Sequence, residues 1–189
     1  MFGVLIFLLI AVPVVVSVLT DGDGRPVPQR TLYLPASFND YEHASGNVAD
    51  RLIADMRKSN GDNSSEERAI DQKATMAIYE KNKDFDRRFM FIGFSASDDP
   101  TLARSLRSDT PSRIADQAFS GGGKFADPQD FQPGHLGGVL RCGAGKNDAG
   151  ELTMCVWVDG STMGTIAAPG ISVKDLAGLT FEFRAVAET

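Results

Sequence analysis

Apolar residues are distributed along this chain in three ways, and each predicts a different kind of element. The first is an unbroken run, Phe2 to Leu19 ("FGVLIFLLIAVPVVVSVL"), with no charge and a single polar side chain, Ser17. As a helix it would be roughly 27 Å long, close to the ~30 Å hydrocarbon core of a bilayer. It has no polar face, which an amphipathic core helix would show, and a residue such as Pro13 is tolerated in a spanning helix. The run therefore predicts a transmembrane helix over 2–19. A cleaved signal peptide is the rival reading, and it calls for a basic n-region, a shorter run and a small-residue cleavage site. No Lys or Arg precedes Arg25, "VSVLTDG" offers no such site, and no cysteine follows to carry a lipid. Either reading exports the rest of the chain. Met1 alone flanks the run on the other side, so basic residues give no orientation.

The second pattern is helical. Val48, Leu52, Ile53 and Met56 recur at helix spacing over Asn47–Lys58, with Asn47 as N-cap and Gly61 as stop. Pro100–Arg107 and Pro111–Phe119 read as short helices, each opened by a proline at its first position. Ser172 caps a last helix whose stripe is Val173, Leu176, Ala177, Thr180, Phe183 and Ala187.

The third pattern is strand-like. Ala74–Lys81 and Arg88–Ala96 read as strands joined by the charged turn "NKDFDR", and the second is apolar on both faces, as a central strand is. "GGVLRC" and "LTMCVWV" flank the turn-rich "GAGKNDAG", and Ser161–Gly170 reads as a third strand of the same meander. Asn60–Arg68 is a polar surface loop, and the stretch after "SGGGK" is irregular as far as Pro133. Thr20–Pro35, rich in Gly, Pro and Asp, is a linker. The expected architecture is α+β: a transmembrane helix (2–19), a linker (20–35), and an extracytoplasmic domain (36–189). That domain has one antiparallel sheet of about five strands with helices packed on one side.

The cysteines bear on location. Two cysteines in an exported domain predict one disulfide, Cys142–Cys155. Setting them opposite each other aligns Leu140 with Trp157, Val139 with Val158 and Arg141 with Val156. Cys142, Leu140, Cys155 and Trp157 then share the core face of a hairpin. The C-x-x-C spacing of a redox site is absent. Zinc needs about four ligands, and only His43 and His135 could join the thiols.

Other motifs fail on their chemistry. "DGDG" lacks the bidentate Glu of a calcium loop, with Leu32 in its place. "SGGGKF" has Ala118 and Phe125 where a phosphate loop needs Gly and Ser/Thr. "GFSAS" places Ser95 after a strand as a nucleophile elbow does, but Ser97 replaces the final glycine. Acidic pairs such as Asp98–Asp99, Asp84/Asp86 and Asp127/Asp130 read as solvated surface. His135 stands out in "QPGHLGG" because glycines crowd it. Nineteen basic against 25 acidic residues give a net charge of −6, which argues against nucleic acid and anionic membrane surfaces as partners.

The segments "FMFIGFSAS" and "LGGVLRCG…LTMCVWVDGSTMG" with a closing amphipathic helix resemble a group of uncharacterised actinobacterial membrane-anchored proteins. The shared pattern is Gly137, Gly138, Leu140, Cys142, Gly143, Cys155, Trp157, Asp159, Thr162 and Gly164. The resemblance implies a single-pass cell-membrane protein with an extracytoplasmic domain, and it brings no catalytic residue. Relatives often carry a cytoplasmic proline- or glycine-rich head, whereas the apolar run here starts at Met1. The candidate ligand-site residues are His135, Asp159 and Ser95. No cofactor or metal is expected. The expected function is an envelope binding or interaction module, with an envelope or membrane protein as partner. The alternatives are a sensor or accessory subunit of a membrane signalling complex, and a hydrolase using Ser95 with His135 or an acidic pair.

Overall fold

The computed structural model describes residues 29–59, 72–98, 100–121, 124–147 and 150–189. The transmembrane helix expected over 2–19 and the polar loop from Asn60 to Arg68 lie outside them. Among the described residues no helix is long and apolar enough to cross a membrane.

Eight strands form one antiparallel sheet, not about five. In chain order they are β1 (Ser37–Phe38), β2 (Tyr41–His43), β3 (Thr75–Lys81), β4 (Asp84–Ser95), β5 (Lys124–Phe131), β6 (Val139–Asn147), β7 (Gly150–Val158) and β8 (Thr162–Ala168). The spatial order is β1-β2-β3-β4-β8-β7-β6-β5, two four-stranded meanders joined along β4 and β8. The three additional strands have plain reasons for escaping a pattern search. β1 and β2 are too short to show alternation. β5 is an exposed edge strand broken by a bulge between Ala126 and Gln129, with Pro128 inside it. Bulges and proline are common at sheet edges because they block pairing with another chain.

The β3–β4 turn is also tighter than "NKDFDR" suggests. Asn82 and Lys83 both take positive φ, 55° and 59°, and Lys81 pairs with Asp84. Two left-handed central residues make a turn whose twist matches the flanking strands.

Helices cover both faces, which corrects the one-sided packing expected. α4 (Val173–Ala187) lies on the face carrying Tyr79, Phe89, Phe91, Leu140, Trp157 and the cysteines. α2 (Pro100–Ser108) and α3 (Pro111–Gly121) pack on the opposite face, over Met154, Val156 and Val158. α1 (Asn47–Ser59) sits on that second face, with Ala49 against Ile78. The alternation within β7 explains the split. Cys155 and Trp157 point one way, Val156 and Val158 the other, and all four are fully buried.

The Cys142–Cys155 disulfide is formed, and its hairpin has the expected register: Leu140 opposite Trp157, Val139 opposite Val158, Arg141 opposite Val156. Trp157 stacks on Phe91 with ring centroids 5.7 Å apart and planes 11° apart. Its cross-strand neighbour on β8 is Gly164, where any Cβ would collide with the indole ring. The lack of a side chain there makes room for the ring.

Candidate functional site

One end of the sheet collects all three candidate ligand-site residues. Ser95 ends β4 opposite Thr162, the first residue of β8. Asp159 follows β7 and closes the turn into β8. Its Oδ1 accepts the N–H groups of Ser161 (2.6 Å) and Thr162 (2.8 Å), an Asx-type turn that leaves Oδ2 free to face inward. His135 lies in the loop leading into β6, and its side chain is exposed.

Arg184, which no sequence motif singles out, organises this end. It is 1% exposed and sits on the buried face of α4, one residue beyond Phe183. Its Nη2 donates to Asp159 Oδ2 at 2.7 Å and its Nε to Glu188 Oε2 at 2.7 Å. Its Nη1 donates to the carbonyls of Gly137 (2.8 Å) and Pro133 (3.2 Å). Arg30 completes the cluster. Its Nη1 reaches Asp159 Oδ2 (2.9 Å), Glu188 Oε1 (3.2 Å) and the Leu136 carbonyl (3.1 Å).

A buried guanidinium must be paired and its N–H groups must find acceptors. Here two carboxylates supply the charge and three carbonyls of one loop supply further acceptors. The loop can turn its carbonyls inward because Gly137 and Gly138 take left-handed φ, 73° and 79°. Gly138 also packs so closely on the Val158 carbonyl that a Cβ would overlap it. The glycines around His135 therefore cage two arginines, and the imidazole is left outside the cage.

The second half of the linker is built into this end of the domain. Thr31 and Thr189 exchange backbone hydrogen bonds at 2.8 and 3.1 Å, and the Tyr33 N–H donates to the Ala187 carbonyl at 2.7 Å. This short ribbon holds Arg30 over the cluster. It also engages the first candidate nucleophile: the Leu32 N–H donates to Ser95 Oγ at 3.0 Å. Ser95 is only 1% exposed. Among the described residues, no hydrogen bond joins Ser95 to His135 and no group of three or more His, Cys, Asp or Glu is placed to hold a metal.

Glu188 is the electrostatically unusual member. Burial pushes its carboxyl above the ordinary value of 4.5, and the nearby Asp159 charge adds to that, against the opposing hydrogen bond from Arg184. A buried acid of this kind takes up its proton in the folded chain at a pH where the unfolded chain has already released it. Stability should therefore fall as pH rises from about 4.5 through the raised folded value. Glu188→Gln, a neutral analogue of the protonated acid, should flatten that dependence. Chemical unfolding of wild type and variant across this window measures the difference in slope, and equal slopes would contradict the assignment to Glu188.

Arg184 is legible in principle. It falls seven residues after Ala177 and four after Thr180, so a charge stands on an otherwise apolar stripe. Such a charge requires a buried partner, but nothing in the sequence says that the partner comes from the β7–β8 turn. No protein-family model, curated protein or solved structure matches the chain, and the site is read from its own geometry.

Proposed function

We propose that this chain is an envelope binding module held outside the cytoplasm, with its apolar N-terminal segment as the membrane tether. The observation that carries the reading is the use made of the reactive groups at the sheet end. Ser95, Asp159 and Glu188 are each engaged by backbone N–H groups or arginines and are buried away from solvent. A general base must reach the proton it abstracts, and a nucleophile needs a base beside it. Among the described residues, the exposed His135 makes no hydrogen bond to Ser95, Asp159 or Glu188. What the arrangement does well is hold a fixed surface: a disulfide joining β6 to β7, a locked charge cluster at the end of the sheet, and helices on both faces. Rigid elements of this kind position a recognition surface with little entropic cost on binding. An exported location fits the disulfide, since oxidised pairs persist in oxidising compartments.

Two measurements on the full chain, recovered from native envelope, test this. Peptide mapping without reductant should find Cys142 joined to Cys155; free thiols at both positions would remove the argument for export. A fluorophosphonate probe should leave Ser95 unlabelled. Labelling at Ser95 that is lost in Ser95→Ala would turn the reading towards a hydrolase.

A further inference from the structure

A small recess opens beside the charge cluster, between the loop after β4 and α2. It has a volume of about 80 Å³ and is walled by Gln29, Arg30, Ala96, Ser97, Arg107 and Ser161. We propose that this recess binds a tetrahedral oxyanion, a phosphate ion or the phosphoryl group of a larger molecule. The inference rests on the binding-module reading above and adds the chemical class of a ligand at the same end of the sheet.

Three observations carry it. Arg107 Nε is buried with no hydrogen-bond partner among the described residues. Arg107 itself is half-buried, and a buried N–H without a partner is costly, so a ligand oxygen placed in the recess would satisfy it. Second, Arg30 brings another guanidinium to the same recess, and its bonds to Asp159, Glu188 and Leu136 all run through Nη1. Arg30 and Arg184 are paired with Asp159 and Glu188, whereas among the described residues no salt bridge engages Arg107. Third, the lining residues Gln29, Arg30 and Arg107 all carry hydrogen-bond donors, while the Ser97 hydroxyl already donates to Asp98. Arginine's planar fork suits phosphate oxygens in particular. The recess is small, about 80 Å³, a size suited to a small anion or a single phosphoryl group. One group opposes binding: Asp98 accepts a long 3.4 Å hydrogen bond from Ser97 Oγ. Its carboxylate is exposed, so solvent screens much of its repulsion.

Arg107 stands outside the ion-pair cluster, so changing it leaves Arg30, Asp159, Arg184 and Glu188 paired. Calorimetric titration of the full chain in detergent, at constant ionic strength, should show saturable binding of inorganic phosphate with a Kd below about 1 mM. Arg107→Gln should weaken it at least tenfold, and Arg107→Lys should weaken it less. The conservative lysine variant keeps the test decisive if the glutamine variant fails to fold. Glycerol 1-phosphate, titrated in parallel, separates the sources. Binding as tight as phosphate or tighter identifies a phosphoryl group on a larger molecule, and binding of phosphate alone identifies the free ion. The proposal is overturned if neither anion saturates below that concentration, or if Arg107→Gln or Arg107→Lys binds phosphate as wild type does. Those results would leave the binding-module reading intact, because it is tested by the disulfide and by Ser95.

Discussion

Replacing Arg184 by methionine is expected to destabilise the folded chain by about 3–5 kcal/mol, the range found when one partner of a buried ion pair is removed. The reason lies in what is left behind. Asp159 and Glu188 are 6% and 5% exposed, and without Arg184 only Arg30 remains to balance them. The carbonyls of Pro133 and Gly137 lose their donors at the same time. Denaturant unfolding of the full chain gives the loss directly. The triple variant Arg184→Met/Asp159→Asn/Glu188→Gln should recover a substantial part of it. The two introduced amides keep hydrogen-bonding oxygens and remove the stranded carboxylates, leaving only the partly exposed Arg30 charged, and buried pairs replaced together by neutral groups are often near neutral. If Arg184→Met alone lost less than about 1 kcal/mol, the value of an exposed pair, the cluster would be a surface feature and not the clamp described here.

Trp157→Ala should be as damaging, by about 3–5 kcal/mol, as large-to-alanine changes in packed cores are. Trp157 is fully buried, stacked on Phe91 and seated over Gly164, at the centre of the face on which α4 rests. Trp157→Phe should cost much less. The indole N–H has no hydrogen-bond partner among the described residues, so phenylalanine gives up volume without stranding an acceptor. The ordering wild type, Phe, Ala in unfolding free energy checks the argument. An alanine variant as stable as the phenylalanine one would mean that ring volume at this position contributes little.

Trp157 lies under α4 and Arg184 is carried by its buried face, and the arginine marks the place where the linker, the β5–β6 loop, the β7–β8 turn and that helix meet. Arg30 and Glu188 are 158 residues apart in sequence and 3.2 Å apart in space. The charge cluster therefore joins the two ends of the described chain, and loosening it should release the ribbon that covers Ser95 before it disturbs the sheet.

Much of the domain follows from local pattern alone. The hairpin of β6 and β7 is legible because alternating apolar residues, paired cysteines and a turn-rich gap agree on one register. α1 to α4 are legible from 3.6-residue periodicity and from asparagine, proline or serine starts. Asp159, Ser95 and His135 are each visible as chemistry-bearing residues, yet their roles are not. Asp159 is a turn-capping ion-pair partner, Ser95 an acceptor for Leu32, and His135 an exposed residue on the outside of a carbonyl cage.

What tertiary structure decided is everything that depends on distant segments meeting. The edge strands β1 and β5 and the short β2 have no periodicity of their own and exist because a neighbouring strand offers its hydrogen bonds. Helices on both faces follow from β4, β7 and β8 being buried on both sides, which a one-sided sheet of five strands would not require. The recess at Arg107 arises only where the loop after β4 passes α2 and the ribbon carrying Arg30. Short-range periodicity records which face of an element is apolar. It holds no record of which other element will cover that face or which charges will be brought together beneath it.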